Sequence, residues 1–333
     1  MLSVICPIYN EENRIADCIL SVIAQDYPKD DLEVLFVDGR SDDRTREIIG
    51  EYSRQYPFIR LLDNPQRIVP TGLNIGIRAA QGDVILRLDA HAKYPTNYFS
   101  VLVSKLRKCN ADNVGGVCNT LPAKDTPECR AIAHAMSSPF GMGNSHFRIG
   151  TNHEMSVDTV PFGCFRREIF DKVGLFDEEL VRNQDDEFNG RILLNGGRIL
   201  LLPNVVIDYF ARDSINKTAK MFYQYGLFKP LVNKKLRKPT TLRQFFPPLF
   251  FAGIIVGGLL SLFFPLIRWI YFGVLILYIL AGLFFGLKIP CRWPDILWMP
   301  IIFATIHLSY GCGYWIGAFK LLFHKEITAK SNH

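Results

Sequence analysis

Three long stretches without a charged residue close this chain, and they restrict its possible folds more than any other feature. Gln244 to Ile267, Trp269 to Leu287 and Ile296 to Phe319 contain no Lys, Arg, Asp or Glu. Each is about long enough to cross a hydrocarbon core of roughly 30 Å. Buried helices of a water-soluble domain are the competing reading. Three such runs in succession, with Trp or Pro near their ends, are hard to bury that way. Most charges lie before Arg243, so the 333 residues divide into a polar N-terminal part and an apolar C-terminal part.

The beginning, MLSVICPIYNEEN, lacks the basic start and long apolar core of a secretory signal. The polar part is therefore expected in the cytosol. Lys217, Lys220, Lys229, Lys234, Lys235, Arg237, Lys238 and Arg243 crowd the segment before the first apolar run. The positive-inside rule assigns such a cluster to the cytoplasmic side, where anionic head groups would attract it. Three crossings would place Lys320, Lys325 and Lys330 outside, against that rule. Either one run is re-entrant or interfacial, or the larger upstream cluster outvotes the tail. The eight cysteines show no C-x-x-C pair and no zinc-like spacing. In a reducing compartment they read as small core residues.

In the polar part, Leu2–Cys6, Leu35–Val37, Phe58–Leu62 and Val84–Leu88 are short apolar strand candidates. Between them, Ile15, Cys18, Ile19, Val22 and Ile23 recur at helical spacing with Asn10 placed as a cap, and Thr45–Tyr52 and Thr71–Ala80 also read as helices. Alternating strands and helices imply an α/β fold with a mostly parallel sheet covered on both faces. Ligands of such sheets lie beyond the carboxyl ends of the strands. Those ends carry Tyr9 and Glu11, Asp38, and Asp89 with His91. The G-x-G-x-x-G of a dinucleotide-binding turn is absent after the first strand, which disfavours a nicotinamide or flavin oxidoreductase. Asp89 and His91, two apart on an extended chain, would face the same way. A carboxylate and an imidazole so placed suit Mn²⁺ or Mg²⁺ whose remaining positions are filled by diphosphate oxygens and water.

Five ordered motifs complete the picture: PIYNEE (7–12), VDGRSDDRT (37–45), GLNIGIRAAQGDVILRLDAHA (72–92), VDTVPFGCFRREIFDKVGLFDEEL (157–180) and RNQDDEFNGRI (182–192). With them the chain resembles the family 2 glycosyltransferases of the GT-A fold, in particular membrane-anchored members of the succinoglycan-biosynthesis type. The resemblance implies a Rossmann-like catalytic domain followed by transmembrane helices. It implies that Pro7, Tyr9, Glu11, Asp38, Asn74 and Asp89 contact the nucleotide sugar, and that Asp89 and His91 hold the metal. His91 stands where many members carry a second aspartate. By the same resemblance Asp185 is the catalytic base, with Gln184 in place of the usual glutamate. Asp186 and Glu187 are expected at the acceptor or its loop, and Arg212 at diphosphate or an acidic neighbour.

Other features carry less. The segment from Gly141 to Arg148 reads as a mobile loop able to close over the sugar, and Gly163 as a point of close approach to the donor or a turn. The Q-x-x-R-W of processive synthases is absent, since Gln224 is followed by Tyr225, Gly226, Leu227 and Phe228. Single sugar additions are expected. YGCGYWIG (310–317) would let helices pack closely, within one chain or between two.

The expected organisation is a catalytic domain over 1–212, a basic juxtamembrane segment over 213–243, apolar helices over 244–320 and a tail over 321–333. The expected activity is inverting transfer of one sugar, from a uridine diphosphate sugar first and GDP-mannose second, to a hydroxyl of a lipid-linked saccharide at the inner membrane. A polyprenyl-phosphate glycosyltransferase acting on the bare phosphate is the nearest rival. A nucleotide-sugar-binding scaffold or transport protein is the rival from another class. A phosphohydrolase would want a denser set of metal ligands, and the basic excess beside the membrane gives nucleic-acid binding little support.

Overall fold

The computed structural model describes residues 1–288 and 292–328. In chain order the elements begin with β1 (Leu2–Ile8), α1 (Ile15–Ile23), β2 (Leu32–Asp38), α2 (Thr45–Gln55), β3 (Ile59–Asp63) and α3 (Val69–Ala79). Next come β4 (Val84–Arg87), β5 (Ala92–Lys93), α4 (Tyr98–Lys108), β6 (Asn113–Leu121), α5 (Pro127–Met136), α6 (Pro139–Met142) and α7 (His146–Ile149). They continue with β7 (Met155–Ser156), β8 (Cys164–Arg166), α8 (Glu168–Val173), α9 (Gln184–Leu194), β9 (Ile199–Phe210) and α10 (Ile215–Leu236). The last are α11 (Phe246–Ser261), α12 (Pro265–Leu287) and α13 (Trp293–Leu322). Among the described residues two compact units emerge: 1–119 with 150–209, and 120–149 with 210–328. Residues 120–149 thus group with the apolar helices rather than with the sheet.

The first unit is a single mixed sheet, ordered β3-β2-β1-β4-β8-β6-β9-β5, with β7 paired to β9. Every residue of β2 is buried, and all but one of β1. Such continuous apolar strands are stable only when both faces are covered, as parallel crossovers through helices ensure. Accordingly β1 runs parallel to both β2 and β4, and β2 to β3. Beyond β4 the sheet changes character: β8 is antiparallel to both β4 and β6, and β9 to β5 and β7. The parallel half is therefore the part that the alternating sequence pattern announces. α1 buries Ile15, Cys18, Ile19 and Val22 in the core it shares with Tyr98, Phe99 and Leu102 of α4.

Asn10 is not the cap of α1. That place belongs to Arg14, without a side-chain cap bond. Asn10 instead adopts φ 54° and pins the next loop, donating to Asp42 Oδ1 at 2.7 Å and accepting from the Asp42 N–H at 3.1 Å. The seven described cysteines are all free and mostly buried, as expected of small core residues; Cys291 lies outside the described residues.

In the second unit α11, α12 and α13 are each apolar enough to cross a membrane, and the 23 residues of α12, at mean hydropathy 2.4, span about 34 Å. α12 leaves Trp269 79% and Leu266 73% exposed, a large apolar surface that lipid would cover. The candidate spans, 242–261, 265–287 and 293–322, take in four charges that the apolar runs exclude: Arg243 and Lys320 at their ends, and Arg268 and Asp295. Arg268 is satisfied at the helix turn, its Nε donating to the Ser261 carbonyl at 3.0 Å. Asp295 accepts two bonds from Arg130 of α5, at 2.9 and 2.8 Å, and its side chain is 1% exposed.

The glycines of YGCGYWIG serve packing within the chain. A Cβ on Gly313 would overlap the carbonyl oxygen of Tyr223, and one on Gly317 that of Leu227; Gly226 of α10 makes the reciprocal approach to Tyr310. Lys330, counted in the tail charge, lies outside the described residues.

Candidate active site

The carboxyl ends of β1, β2 and β4 carry the polar residues that the sequence singles out. Asp38 closes β2 fully buried, and accepts the Ser41 N–H at 3.0 Å, the Ser41 hydroxyl at 2.5 Å and Arg46 Nη1 at 2.6 Å. Arg46 of α2 also reaches Asp63 at 3.0 Å, and Arg40 donates to the same carboxylate at 3.1 Å. The Arg40 bond, opposed by burial and joined by the bond from Arg46, holds the Asp63 carboxyl below its ordinary range. After β1, the Tyr9 ring lies beneath the Arg67 guanidinium, 5.6 Å from centroid to carbon. Pro7 lines the base of this rim, 3.2 Å from where a Cβ on Gly72 would stand.

β4 ends at Arg87, so Asp89 and His91 are not two residues of an extended strand. They share a turn instead: the His91 N–H donates to Asp89 Oδ1 at 2.8 Å. The turn forms because a short aspartate side chain can cap the backbone two residues on. It ties the Asp89 carboxylate to the backbone of His91, a different geometry from the pleat. The two ring nitrogens of His91 are both engaged. Nε2 meets Glu11 Oε1 at 2.7 Å, and Arg14 Nη1 meets Nδ1 at 2.9 Å. The bond to Glu11 raises the His91 pKa above 6.5, with burial opposing.

Two residues before Asp89, the side chain of Arg87 turns toward α9 and its Nη1 binds Asp185 Oδ1. Its guanidinium is 11% exposed, whereas Asp185 is 39% exposed and faces outward. Burial opposes the charge on Arg87, and Asp185 with Asp89 more than restores it. Asp185 occupies the first turn of α9, entered through Asn183 at φ 62°. Arg87 thus links the candidate base to the strand whose following turn holds Asp89 and His91.

Several other expected residues have structural partners. Asn74 is 2% exposed, and its amide donates to the Phe176 carbonyl at 2.9 Å and Glu178 Oε1 at 2.8 Å while its oxygen accepts the Phe176 N–H at 3.0 Å. It staples α3 to the loop after α8 rather than presenting its amide to a donor. Glu187 is buried and grips Arg191 with both oxygens, at 2.7 and 2.9 Å, while Arg191 holds the Leu175 carbonyl at 2.7 Å. Gly163 faces no open space, because a Cβ there would strike Asn113 and Phe165. Gln184 is buried at the start of α9 and Asp186 is partly exposed beside it.

Within the second unit, Arg212 precedes the Ser214 cap of α10 and is partly exposed. The segment 141–148, expected as a mobile loop, is tied down. Arg243 donates to the Asn144 carbonyl and side chain at 3.1 and 2.8 Å. Phe140 stacks on Phe285 at 5.2 Å, and its carbonyl meets His307 Nε2 at 3.0 Å. His307 Nδ1 lies 2.7 Å from the Tyr278 hydroxyl. Aromatic burial and this polar pair fix one end of the loop among the apolar helices.

Sequence reading missed Arg14, Arg46 and Arg87. The signal for Arg87 was present: a lone charge closing the buried strand VILR requires a partner. Nothing in the local sequence announced the other two, since both sit on exposed helix starts.

The donor set can be tested against a divalent cation. Asp89 and His91 would supply one oxygen and one nitrogen donor, the latter by giving up a present ring contact, and no group of three or more His, Cys, Asp or Glu residues capable of holding a metal occurs among the described residues. That set fits an ion that draws its other oxygens from a diphosphate and water, and imidazole with carboxylate suits Mn²⁺.

The family model described as glycosyl transferase family 2 matches residues 3–174. A Methanococcus voltae dolichyl N-acetyl-alpha-D-glucosaminyl phosphate 3-beta-D-2,3-diacetamido-2,3-dideoxy-beta-D-glucuronosyltransferase is 28% identical, over 96% of this chain and 97% of its own length. The succinoglycan biosynthesis protein ExoA of Rhizobium meliloti is 27% identical, over 94% of this chain and 93% of its own. Among solved structures, a Pyrobaculum calidifontis mannosyltransferase in complex with GDP-Man and Mn²⁺ superposes with a TM-score of 0.61, at 20% identity, over 98% of this chain and 88% of that one. The fold is thus the GT-A type.

Proposed function

Because this chain belongs to glycosyl transferase family 2, we propose that it moves one sugar from a nucleoside diphosphate sugar to a hydroxyl of a lipid-linked saccharide, with inversion at the anomeric carbon. One observation carries the reading: Arg87 joins the Asp185 carboxylate to the strand that leads into Asp89 and His91. On this reading Asp185 serves as the base and Asp89 with His91 as the diphosphate-binding pair, and the Arg87 bond is what supports treating them as one site.

The roles follow from the chemistry. Asp38, held by Ser41 and Arg46, would read the N–H edge of the base, and Tyr9 with Pro7 would bed the nucleoside. Asp89 and His91 would hold Mn²⁺ or Mg²⁺, which supplies neutralisation of the departing diphosphate and removes the need for a general acid. Asp185 takes the proton from the acceptor hydroxyl through the oxygen that Arg87 leaves open. Attack from the side opposite the diphosphate inverts the centre. Glu11 and Glu187 act by holding His91 and the loop after α8, and Asp186 and Arg212 remain candidates for acceptor contacts. Uridine diphosphate sugars are the first donors to try and GDP-mannose the second.

The lipid-linked acceptor is supported by the three apolar helices and by the Methanococcus relative, whose name gives a dolichyl-linked sugar as its acceptor. The same relative favours a sugar hydroxyl over a bare lipid phosphate. On this reading the catalytic unit faces the cytosol from a multi-pass anchor in the inner membrane.

The test is transfer by the full-length protein in detergent, with a panel of radiolabelled donors, Mn²⁺ or chelator, and two acceptors: polyprenyl phosphate and a polyprenyl-diphosphate saccharide. Metal-dependent transfer to the saccharide with an inverted anomer supports the proposal. Transfer to bare phosphate alone overturns the acceptor. Donor binding without transfer to any acceptor, or hydrolysis, favours a binding role.

A further inference from the structure

The surroundings of His91 assign a ligating atom and a competitor for it. Arg14 has only donors on its guanidinium. At 2.9 Å its Nη1 must therefore donate to a lone pair on His91 Nδ1, which places the ring proton on Nε2. Nε2 in turn donates to Glu11 Oε1 at 2.7 Å. The imidazole is thus the Nε2–H tautomer with Nδ1 as its free base, clasped between a carboxylate and a guanidinium.

Glu11 is suited to hold this state. Its side chain is 6% exposed, its N–H donates to Thr45 Oγ1 at 2.7 Å, and its carbonyl accepts the N–H groups of Arg14 and Ile15 at 2.8 Å. Both ends of the residue are therefore fixed, and the carboxylate cannot swing away cheaply. A carboxylate bonded to the far nitrogen of a ligating histidine fixes the tautomer and raises the basicity of the near nitrogen. Arg14 is different: it is exposed at the start of α1 and has room to leave.

We propose that Nδ1 is the metal-binding atom of His91, that Glu11 is its orienting carboxylate, and that Arg14 occupies the same lone pair until a divalent cation displaces it. This deepens the functional reading and rests on it. Arg14 acts as a built-in competitor, a cation of the chain standing in for the metal. Cation binding then costs one charge-assisted bond, and the released guanidinium lies beside a site that receives a diphosphate.

Manganese binding, read from the electron paramagnetic resonance of free Mn²⁺, tests the idea without turnover. Full-length protein in detergent is titrated with Mn²⁺ in the presence of UDP or of GDP. Arg14→Met should tighten Mn²⁺ several-fold, whereas Arg40→Met, which removes a positive charge paired with Asp63, should change it little. Glu11→Gln, which keeps an acceptor but loses the charge, should weaken Mn²⁺ about tenfold, the low end for a supporting carboxylate. Unchanged or weaker binding in Arg14→Met, or an equal gain in Arg40→Met, overturns the competitor role.

Nitrogen-15 spectra of the histidine-labelled protein without metal separate this idea from the functional reading. An unprotonated Nδ1 whose resonance shifts in Arg14→Met supports the clasp. A protonated Nδ1 overturns it even if Mn²⁺ binds. Equal Mn²⁺ binding in wild type and His91→Ala would remove His91 from the metal site and overturn the functional assignment of that residue as well.

Discussion

Arg87 Nη1 and Asp185 Oδ1 are bonded across 98 residues of sequence, and the bond uses one carboxylate oxygen of a side chain that is still 39% exposed. A base held by one oxygen is aimed without being blocked. Asp185→Asn should therefore keep donor affinity and lower turnover by at least about a hundredfold, the lower end of what a positioned base contributes. Single-turnover transfer combined with calorimetric donor binding checks both halves. Retained turnover would move the base to Asp186.

Arg87 should matter through position rather than contact with substrate. Arg87→Met strands the Asp185 carboxylate, so turnover falls while donor affinity changes less; Arg87→Lys, which keeps the charge and loses the planar fork, should recover only part. Steady-state kinetics that split kcat from KM would reveal this pattern. A loss confined to donor affinity would mean that Arg87 serves the diphosphate.

Asn74 offers a test of staple against ligand. With all of its bonds directed to Phe176 and Glu178, Asn74→Ala should cost about 1–3 kcal/mol of stability through buried groups left unpaired. Thermal unfolding in detergent would register the loss, and the donor KM of the remaining folded protein should stay near wild type. A specific rise in KM with normal stability would return Asn74 to the donor site.

Asp63 gives a pH dependence with a defined sign. Arg40 and Arg46 depress its folded pKa below the ordinary value of 3.8, so its contribution to stability is present above the unfolded value and is lost as pH falls through the folded one. Because the group is solvent-screened the effect is small. Melting temperatures taken from neutral pH down through the carboxylate range should fall less steeply for Asp63→Asn than for wild type. Parallel curves would show that the cluster contributes nothing to the acid limb.

The helix contacts of the second unit predict a contrast between two glycines. Gly313→Val drives a side chain into the Tyr223 carbonyl and should abolish the monodisperse peak on size exclusion in detergent, whereas Gly253→Ala enters open space and should be tolerated. Equal behaviour of the two would mean that α10 and α13 do not pack at that spacing.

Much of this protein was legible from its sequence because the signals are periodic or local. Uninterrupted apolar strands dictate two covered faces, charge-free runs dictate candidate membrane helices, and ligands of a parallel sheet gather at strand ends. Asp38 and Asp89 were singled out that way as candidates, whereas Asp185 was singled out by the family resemblance alone. The change to antiparallel pairing after β4 was not, since β5, β7 and β8 have two or three residues each and too little sequence to carry a period.

What only the tertiary structure decided is how each polar side chain spends its bonds. The sequence placed Glu11, Asn74, Glu187 and Asp89 near a site by type and motif, but a carboxylate or amide has the same identity whether it meets a ligand, a loop or a histidine. Folding brings Glu11 and Arg14 to opposite nitrogens of His91, turns Asn74 onto Phe176, and sets Arg87 on Asp185. Buried polar atoms must find partners, and those partners lie far away along the chain. Sequence by itself therefore determined which chemistry was available and roughly where; the packing determined which groups remain to perform it.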